Sequence, residues 1–142
     1  MKLHLSRRYR FSASHRLHSA QLGEEENWRV YGKCNNPYGH GHNYVVEVAV
    51  SGPVDQSTGM IANLADLDAF VDSEVIEPFD HKYLNEEVTE FQKNVPTTEN
   101  ICIEIFNRLR RFPRARLEHV RVEETGLNSF EYAGEPEGVT HE

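Results

Sequence analysis

The run NYVVEVAVSG at residues 43–52 constrains the fold more than any other segment of the chain. It is rich in β-branched residues and is followed by Pro53, which is typical of a β-strand that ends at a turn. Side chains alternate across a strand, so every second residue shares one face. That face is apolar and predicts a buried side of a sheet, lined by Tyr44, Val46, Val48 and Val50.

A second apolar strand is predicted near the N-terminus. Residues 2–13 carry Leu, Tyr and Phe with partial alternation, and they are expected to pair with residues 43–52 as an antiparallel hairpin. Residues 14–42 between them show no clean period. A connection of that length inside a compact domain is usually functional or disordered.

Two amphipathic helices follow the hairpin. The first is predicted from Asn63, as N-cap, to about Glu77, with Pro78 as its stop. The second begins near Thr97 or Thr98 and ends before Pro113. Apolar side chains recur at helical spacing in both: Leu64, Leu67, Phe70, Val71 and Val75 in the first, Ile101, Ile105 and Leu109 in the second.

Two strands complete the fold, at residues 116–125 and around 130–132, with a turn at 126–128. The order ββααββ predicts a single α+β domain over residues 1–142, with a four-stranded antiparallel sheet and two helices on one face. On the other face Val45 and Ala49 are also apolar, interrupted by Glu47. That surface and the sheet edges predict an oligomer.

Composition excludes several classes of function. The 142 residues carry a formal net charge of −8, which argues against a nucleic-acid partner because phosphate binding requires clustered cations. No apolar run of signal-peptide or membrane-spanning length occurs, so no membrane association is expected. A cytoplasmic location is expected, with Cys34 and Cys102 as free thiols.

The stretch KCNNPYGHGHNY at residues 33–44 predicts a metal site. His40 and His42 are two apart at the start of a strand, so both imidazoles point to one face. His15 follows the first strand, and hairpin pairing brings it beside that pair. Three neutral imidazoles leave a fourth tetrahedral position open, as in catalytic zinc sites. His18 is a rival third ligand, further from the strand end.

Cys34 lies upstream of the histidine pair and allows three interpretations: a fourth zinc ligand, a small buried apolar residue, or a thiolate acting as general base. A metal and imidazoles nearby are expected to lower its pKa. Asp80 and His81 follow the Pro78 stop, where the carboxylate either sets the imidazole tautomer or caps a turn beside an exposed histidine.

These motifs resemble the 6-pyruvoyl-tetrahydropterin synthase family. The matching stretches are FSASHRLHS (11–19), KCNNPYGHGHNY (33–44), GMIANLADL (59–67), DHKYLN (80–85), TTEN (97–100) and EET (123–125). The resemblance implies the tunnelling fold, in which three four-stranded sheets join into a barrel and two trimers form a homohexamer. It also implies a zinc-dependent lyase of tetrahydrobiopterin synthesis that converts 7,8-dihydroneopterin triphosphate to 6-pyruvoyl-tetrahydropterin and releases triphosphate.

The resemblance also implies roles for single residues. His15, His40 and His42 match the zinc ligands, and Cys34 matches the proton-abstracting thiolate. Asp80 and His81 match a relay contributed by a neighbouring chain. Glu124 matches the pterin anchor, and a carboxylate there accepts two pterin N–H groups. Further pterin contacts match Thr97, Thr98 and Glu99, which also suit a helix N-terminus.

Arg16 is the candidate for binding triphosphate, because it follows a predicted ligand. Two alternatives to the lyase remain. The 6-carboxy-tetrahydropterin synthases of the same family, which serve queuosine synthesis, share the zinc triad but usually place the cysteine closer to the histidines. A non-catalytic zinc- or pterin-binding module needs neither Cys34 nor Asp80 and His81. The tail 133–142 falls outside the matched motifs and is a candidate for disorder.

Overall fold

The computed structural model describes residues 3–136. The four strands are β1 (Leu3–His15), β2 (His40–Gly52), β3 (Arg116–Thr125) and β4 (Asn128–Tyr132). The helices are α1 (Glu24–Tyr31), α2 (Leu64–Val71), α3 (Glu77–Phe79), α4 (Leu84–Glu87) and α5 (Thr98–Leu109). The residues of the candidate disordered tail from 137 onward lie outside the described part of the chain.

The strands form one antiparallel sheet in the order β1-β2-β3-β4. β1 and β2 pair along their whole length, from Leu3 opposite Gly52 to His15 opposite His40. The predicted antiparallel pairing of these two segments is therefore confirmed. Because this pairing continues to the ends of both strands, it determines where the histidines of the two strands lie.

The core lies between one face of the sheet and helices α2 and α5. The predicted inward face of β2 is almost completely buried, and the apolar faces of both helices pack against it. The predicted α+β architecture is confirmed. The fully buried side chains include Tyr44, Val46, Val48, Val50, Leu67, Val71, Phe79, Ile101, Ile105, Leu109, Val120 and Val122.

The start of the first long helix was predicted correctly, and its end was not. Asn63 is the N-cap and accepts a hydrogen bond from the Ala65 backbone. After α2 the helix continues as a π-helical turn, Asp72–Ile76, and then as α3, so Pro78 lies inside it. Pro78 lacks the N–H that would bond to the Glu74 carbonyl. Arg108 Nη1 donates to that carbonyl instead, at 3.2 Å.

The second long helix matches its prediction. Thr97 is the N-cap, its hydroxyl accepts from the Asn100 backbone, and α5 ends at Leu109. The N-terminus of this helix lies beside the end of β3, since the Thr98 hydroxyl bonds to the Glu124 carboxylate.

The segment 14–42 contains more structure than its sequence predicted. β1 extends to His15, β2 begins at His40, and α1 and a 3₁₀ turn at Gly32–Asn35 lie between them. The sequence shows no helical period because Asn27, a polar residue, is the buried residue of α1. Such a helix carries no apolar stripe.

The second face of the sheet is more polar than expected. Ala49 is already buried within the chain, and Arg8 lies 3.6 Å from Glu47 across the β1–β2 pair. That face is therefore not an open apolar patch, and β1 and β4 are the edge strands of the sheet. Among the described residues, the helices are all too short or too polar to span a bilayer.

Candidate metal and catalytic centre

Three imidazoles meet at one end of the buried sheet face. Phe11 stacks on Tyr44 with ring centroids 5.0 Å apart, and beyond this pair the face continues with histidines. The centroid separations are 5.2 Å for His15 and His40, 4.9 Å for His15 and His42, and 4.6 Å for His40 and His42. The structure thus brings together the three residues predicted to bind a metal.

Each of these histidines buries an Nε2 atom that has no hydrogen-bond partner within the described chain. An unpaired buried polar atom costs about 1–3 kcal/mol. His15 Nδ1 donates to the Pro96 carbonyl at 2.8 Å, so its Nε2 carries a lone pair. Burial lowers the pKa of His15. It also lowers that of His42, against the opposing effect of Glu124. Two of the three imidazoles are therefore held in the neutral form that metal ions bind.

Cys34 lies at one side of the imidazole cluster. Its Sγ and one ring nitrogen each of His15 and His40 lie within 4.8 Å of one another, so these three could hold a metal ion. Burial, and then the Glu124 carboxylate, raise the pKa of the Cys34 thiol. The lowering expected from the sequence depends on a metal ion, and a bound cation does act in the opposite direction to burial and favours the thiolate.

Glu124 lies at the other side of the cluster. A carboxylate oxygen and ring nitrogens of His15 and His42 form a second group within 4.8 Å, with Glu124 Oε1 3.7 Å from His42 Nε2. Thr98 Oγ1 donates to Glu124 Oε2 at 2.5 Å, which ties the α5 N-terminus to the carboxylate. Thr97 caps the same helix, and Glu99 is exposed in its first turn.

Asp80 and His81 lie at the outer edge of β1. Ser12 donates its backbone N–H to Asp80 Oδ1 at 2.9 Å, and His81 donates its own N–H to the Ser12 carbonyl at 2.6 Å. His81 has a φ of 60°, an uncommon conformation outside glycine, and its side chain is 82% exposed. His81 Nε2 lies 3.5 Å from Asp80 Oδ2. His81 and His42 line one cavity of about 540 Å³.

Arg16 and His18 hold the backbone around Cys34. Arg16 Nε donates to the Asn35 carbonyl at 3.1 Å, and His18 Nδ1 donates to Asn35 Oδ1 at 3.0 Å. In the described chain, the groups able to hold a metal include His15 and do not include His18. The geometry therefore selects His15 from the two candidates for the third imidazole.

Several residues of the site were not recognised in the sequence. Tyr44 was assigned to the core alone, yet its hydroxyl lies 3.3 Å from His15 Nδ1. Its position two residues after His42 on the same face was the available signal. The Pro96 carbonyl gives no sequence signal, because it reaches His15 only through the tertiary fold. Gly39 has a φ of 73°, and a Cβ there would lie 3.0 Å from the His15 carbonyl oxygen.

Fold and site together define an α+β domain with a histidine and cysteine cluster able to bind a metal ion. The chain belongs to the 6-pyruvoyl tetrahydropterin synthase family, whose model matches residues 4–135. It is 48% identical over 132 residues to 6-pyruvoyl tetrahydrobiopterin synthase of Homo sapiens, with 92% of this chain and 91% of the relative covered. The protein of the same name from Poecilia reticulata is 47% identical over 133 residues, with 93% and 90% covered.

A solved structure supports the same assignment. The 6-pyruvoyl tetrahydropterin synthase of Caenorhabditis elegans superposes with a TM-score of 0.88 at 40% sequence identity. The match covers 95% of this chain and 97% of that one. The predicted family is confirmed.

Proposed function

We propose that this chain is a zinc-dependent lyase that converts 7,8-dihydroneopterin triphosphate to 6-pyruvoyl-tetrahydropterin and releases triphosphate. The observation that carries the proposal is the set of three unpaired Nε2 atoms buried between a thiol and a carboxylate. The names of the relatives support the same reaction. The chain is proposed to act as one domain built around the single core described above.

The proposed zinc ligands are His15, His40 and His42. Three neutral imidazole nitrogens are the donor set of catalytic zinc, which supplies Lewis-acid polarisation of substrate oxygens when bound. The Pro96 carbonyl fixes the His15 tautomer, as carbonyl partners do for metal-binding histidines. This contact presents His15 Nε2 as a lone pair toward the other two imidazoles.

Cys34 is the proposed general base. Its thiolate is proposed to remove the proton from the side-chain carbon bonded to the pterin ring; the C–H electron pair forms a C=C bond to the ring carbon, and the ring C=N electron pair takes up a proton at nitrogen, so the ring is reduced as that side-chain carbon is oxidised. The enol returns to a ketone by protonation at the ring carbon, and loss of the proton on the next side-chain carbon then expels triphosphate with the electron pair of its C–O bond. The enol that remains becomes the second carbonyl and the methyl group of the pyruvoyl side chain. Asp80 and His81 are proposed to move protons at a site completed by a neighbouring chain, which agrees with the exposure of His81.

Glu124 is the proposed pterin anchor. Its carboxylate is mostly buried, and the Thr98 hydroxyl orients it through one oxygen. A carboxylate held in this way accepts two N–H groups of a planar heterocycle. Thr97 and Glu99 are proposed as weaker contacts at the same helix end.

Arg16 is proposed to contact the triphosphate. It lines a cavity of about 370 Å³ together with Lys93, and no Asp or Glu is among the residues that line this cavity. In a chain of net charge −8, such a surface suits an anionic group.

A homo-oligomer, built as a trimer or as a hexamer of two trimers, is proposed because β1 and β4 are edge strands and His81 faces outward. Sedimentation at micromolar concentration is expected to give one of these states. A stable monomer would contradict the assembly. A cytoplasmic location is also proposed, since Cys34 and Cys102 are both free thiols.

Product analysis tests the function. The zinc-loaded protein is incubated with 7,8-dihydroneopterin triphosphate, and mass spectrometry is expected to find 6-pyruvoyl-tetrahydropterin and free triphosphate. A 6-carboxy-tetrahydropterin product would assign the chain to the other activity considered from the sequence. Bound but unchanged substrate would indicate a binding module.

A further inference from the structure

The segment that carries Cys34 has little apolar support. Cys34 follows α1 directly, in the turn Gly32–Asn35, and the buried residue of α1 is Asn27. Trp28 and Val30 of the same helix are 46% and 55% exposed. A helix that buries no apolar stripe is held weakly by packing. Polar contacts must therefore set the position of the turn.

Those contacts come from the three residues that follow His15. Leu17 donates its backbone N–H to the Cys34 carbonyl at 2.7 Å. Arg16 Nε and His18 Nδ1 donate to the main-chain and side-chain oxygens of Asn35, at 3.1 Å and 3.0 Å. Asn35 is 1% exposed, so both oxygens are bonded away from bulk water. The segment 15–18 thus presents one imidazole to the metal cluster and holds the cysteine turn against it.

We propose that His18 and Asn35 are positioning residues for the Cys34 thiol. This proposal rests on the proposed function of Cys34 as the base. His18 acts through Asn35, and neither residue needs to touch substrate or metal. Replacing either side chain removes the bond between them, while the backbone link from Leu17 stays in place.

Positioning is important because proton transfer requires the base within hydrogen-bond reach of the carbon-bound proton. A displacement of about 1 Å can lower a rate on the order of a hundredfold. The thiol shares its surroundings with His15 and His40, so a loose turn would also change how far Cys34 lies from the metal cluster. The zinc ligands themselves stand on paired strands and do not depend on the turn.

The test compares zinc-loaded variants at one pH. His18→Ala removes the donor, and Asn35→Ala removes the acceptor. His18→Asn restores a donor, because the asparagine amide nitrogen takes the place of imidazole Nδ1. Glu25→Ala, an exposed change in the same connection, is the matched control. The readouts are zinc content, kcat and KM, and the rate of Cys34 alkylation by iodoacetamide, followed by peptide mass.

Cys102 serves as an internal reference for alkylation. It is buried, and burial raises its pKa to about 12, so it should react far more slowly than Cys34. His18→Ala is expected to keep zinc and to alkylate Cys34 about fivefold faster, as expected for the loss of one hydrogen bond. Its kcat should fall roughly tenfold to a hundredfold with KM nearly unchanged. His18→Asn should restore kcat and the Cys34 alkylation rate most of the way to their parental values.

Other results overturn the proposal. Parental alkylation and turnover in both His18→Ala and Asn35→Ala would show that the bond positions nothing, and equal effects in Glu25→Ala would show that any change in the connection acts alike. Loss of zinc in His18→Ala would make His18 part of the metal site. If the parental protein turns over no substrate, the proposed function fails, while the alkylation rates still decide whether the turn is held by His18.

Discussion

The two ends of the buried sheet face differ in whether their side chains find partners within the described chain. Toward one end Val46, Val48 and Val50 are almost completely buried against the helices and are surrounded by other apolar side chains. Toward the other end the same alternation of β1 and β2 places His15, His40 and His42, whose Nε2 atoms are buried and lack partners in the described chain. The backbone pairing is continuous between the two ends.

This difference shows where stability has been exchanged for function. Deleting methyl groups from the valine end leaves a cavity, which costs about 0.5–5 kcal/mol depending on the residue. The histidine end already carries the cost of three desolvated, unpaired atoms before any substitution. A metal ion would remove that cost, so the histidine end should respond to metal, substrate and pH, and the valine end should not.

The largest effect is expected when the histidine end loses a ligand. His40→Ala or His42→Ala should reduce zinc from about one per chain to nearly none and abolish turnover, because two imidazoles and water hold zinc far more weakly than three. Metal analysis after dialysis measures this. Val48→Ala is the control from the valine end and should keep zinc. Full zinc retention in both histidine variants would rule out the three-imidazole site.

Cys34→Ala should have the next largest effect. If the thiolate is the base, the variant keeps zinc and binds substrate, but triphosphate release slows on the order of 10²–10⁴-fold. Ion chromatography of the released triphosphate under single-turnover conditions gives the rate. Release at the parental rate would mean that the base is another group, with His81 as the next candidate.

Glu124→Gln separates substrate capture from chemistry. The amide offers one acceptor and one donor end where the carboxylate offers two acceptors, so KM should rise on the order of tenfold to a hundredfold. Zinc content and the alkylation rate of Cys34 should stay at parental values. A variant with unchanged KM would show that the pterin is anchored elsewhere.

The smallest effect concerns pH and the metal-free protein. Burial lowers the pKa of His15 and of His42 below the ordinary value of 6.5. Below pH 6.5 the unfolded chain therefore binds protons that the folded chain does not. The free energy of unfolding decreases as the pH is lowered, until the pH reaches the lowered pKa values of the folded state. The slope of the free energy of unfolding against pH should approach about 1.4 kcal/mol per pH unit for each imidazole.

Urea unfolding of the metal-free protein at several pH values between 7.5 and 5.5 measures this slope. His42→Ala should reduce it, because one of the two groups is gone, and Val48→Ala should lower stability equally at every pH. A slope that His42→Ala leaves unchanged would mean that His42 is not one of the titrating groups.

The parts of the molecule that follow a periodic pattern could be predicted from sequence. The two-residue alternation of β2 and the H-x-H pair determined the histidine face, and the hairpin register brought in His15. Helix α5 followed from its threonine cap and apolar spacing. In each case one local rule agreed with the tertiary structure.

The remainder depends on contacts between distant residues. Pro78 predicted a helix end, but Arg108 supplies the missing donor to Glu74 and the helix continues. Helix α1 was missed because it buries an asparagine rather than an apolar stripe. The roles of Asn35 and Pro96 are carried by oxygens whose partners lie 17 to 81 residues away, which no local pattern encodes.

X-ray absorption at the zinc edge of the loaded protein tests most directly whether three imidazoles form an open metal site beside a free thiol. The expected spectrum contains three imidazole nitrogens and one further oxygen at about 2.0–2.1 Å, with no sulfur. The spectrum of Cys34→Ala should be the same. A sulfur scatterer at about 2.3 Å that disappears in Cys34→Ala would make the thiol a fourth ligand and contradict the open site.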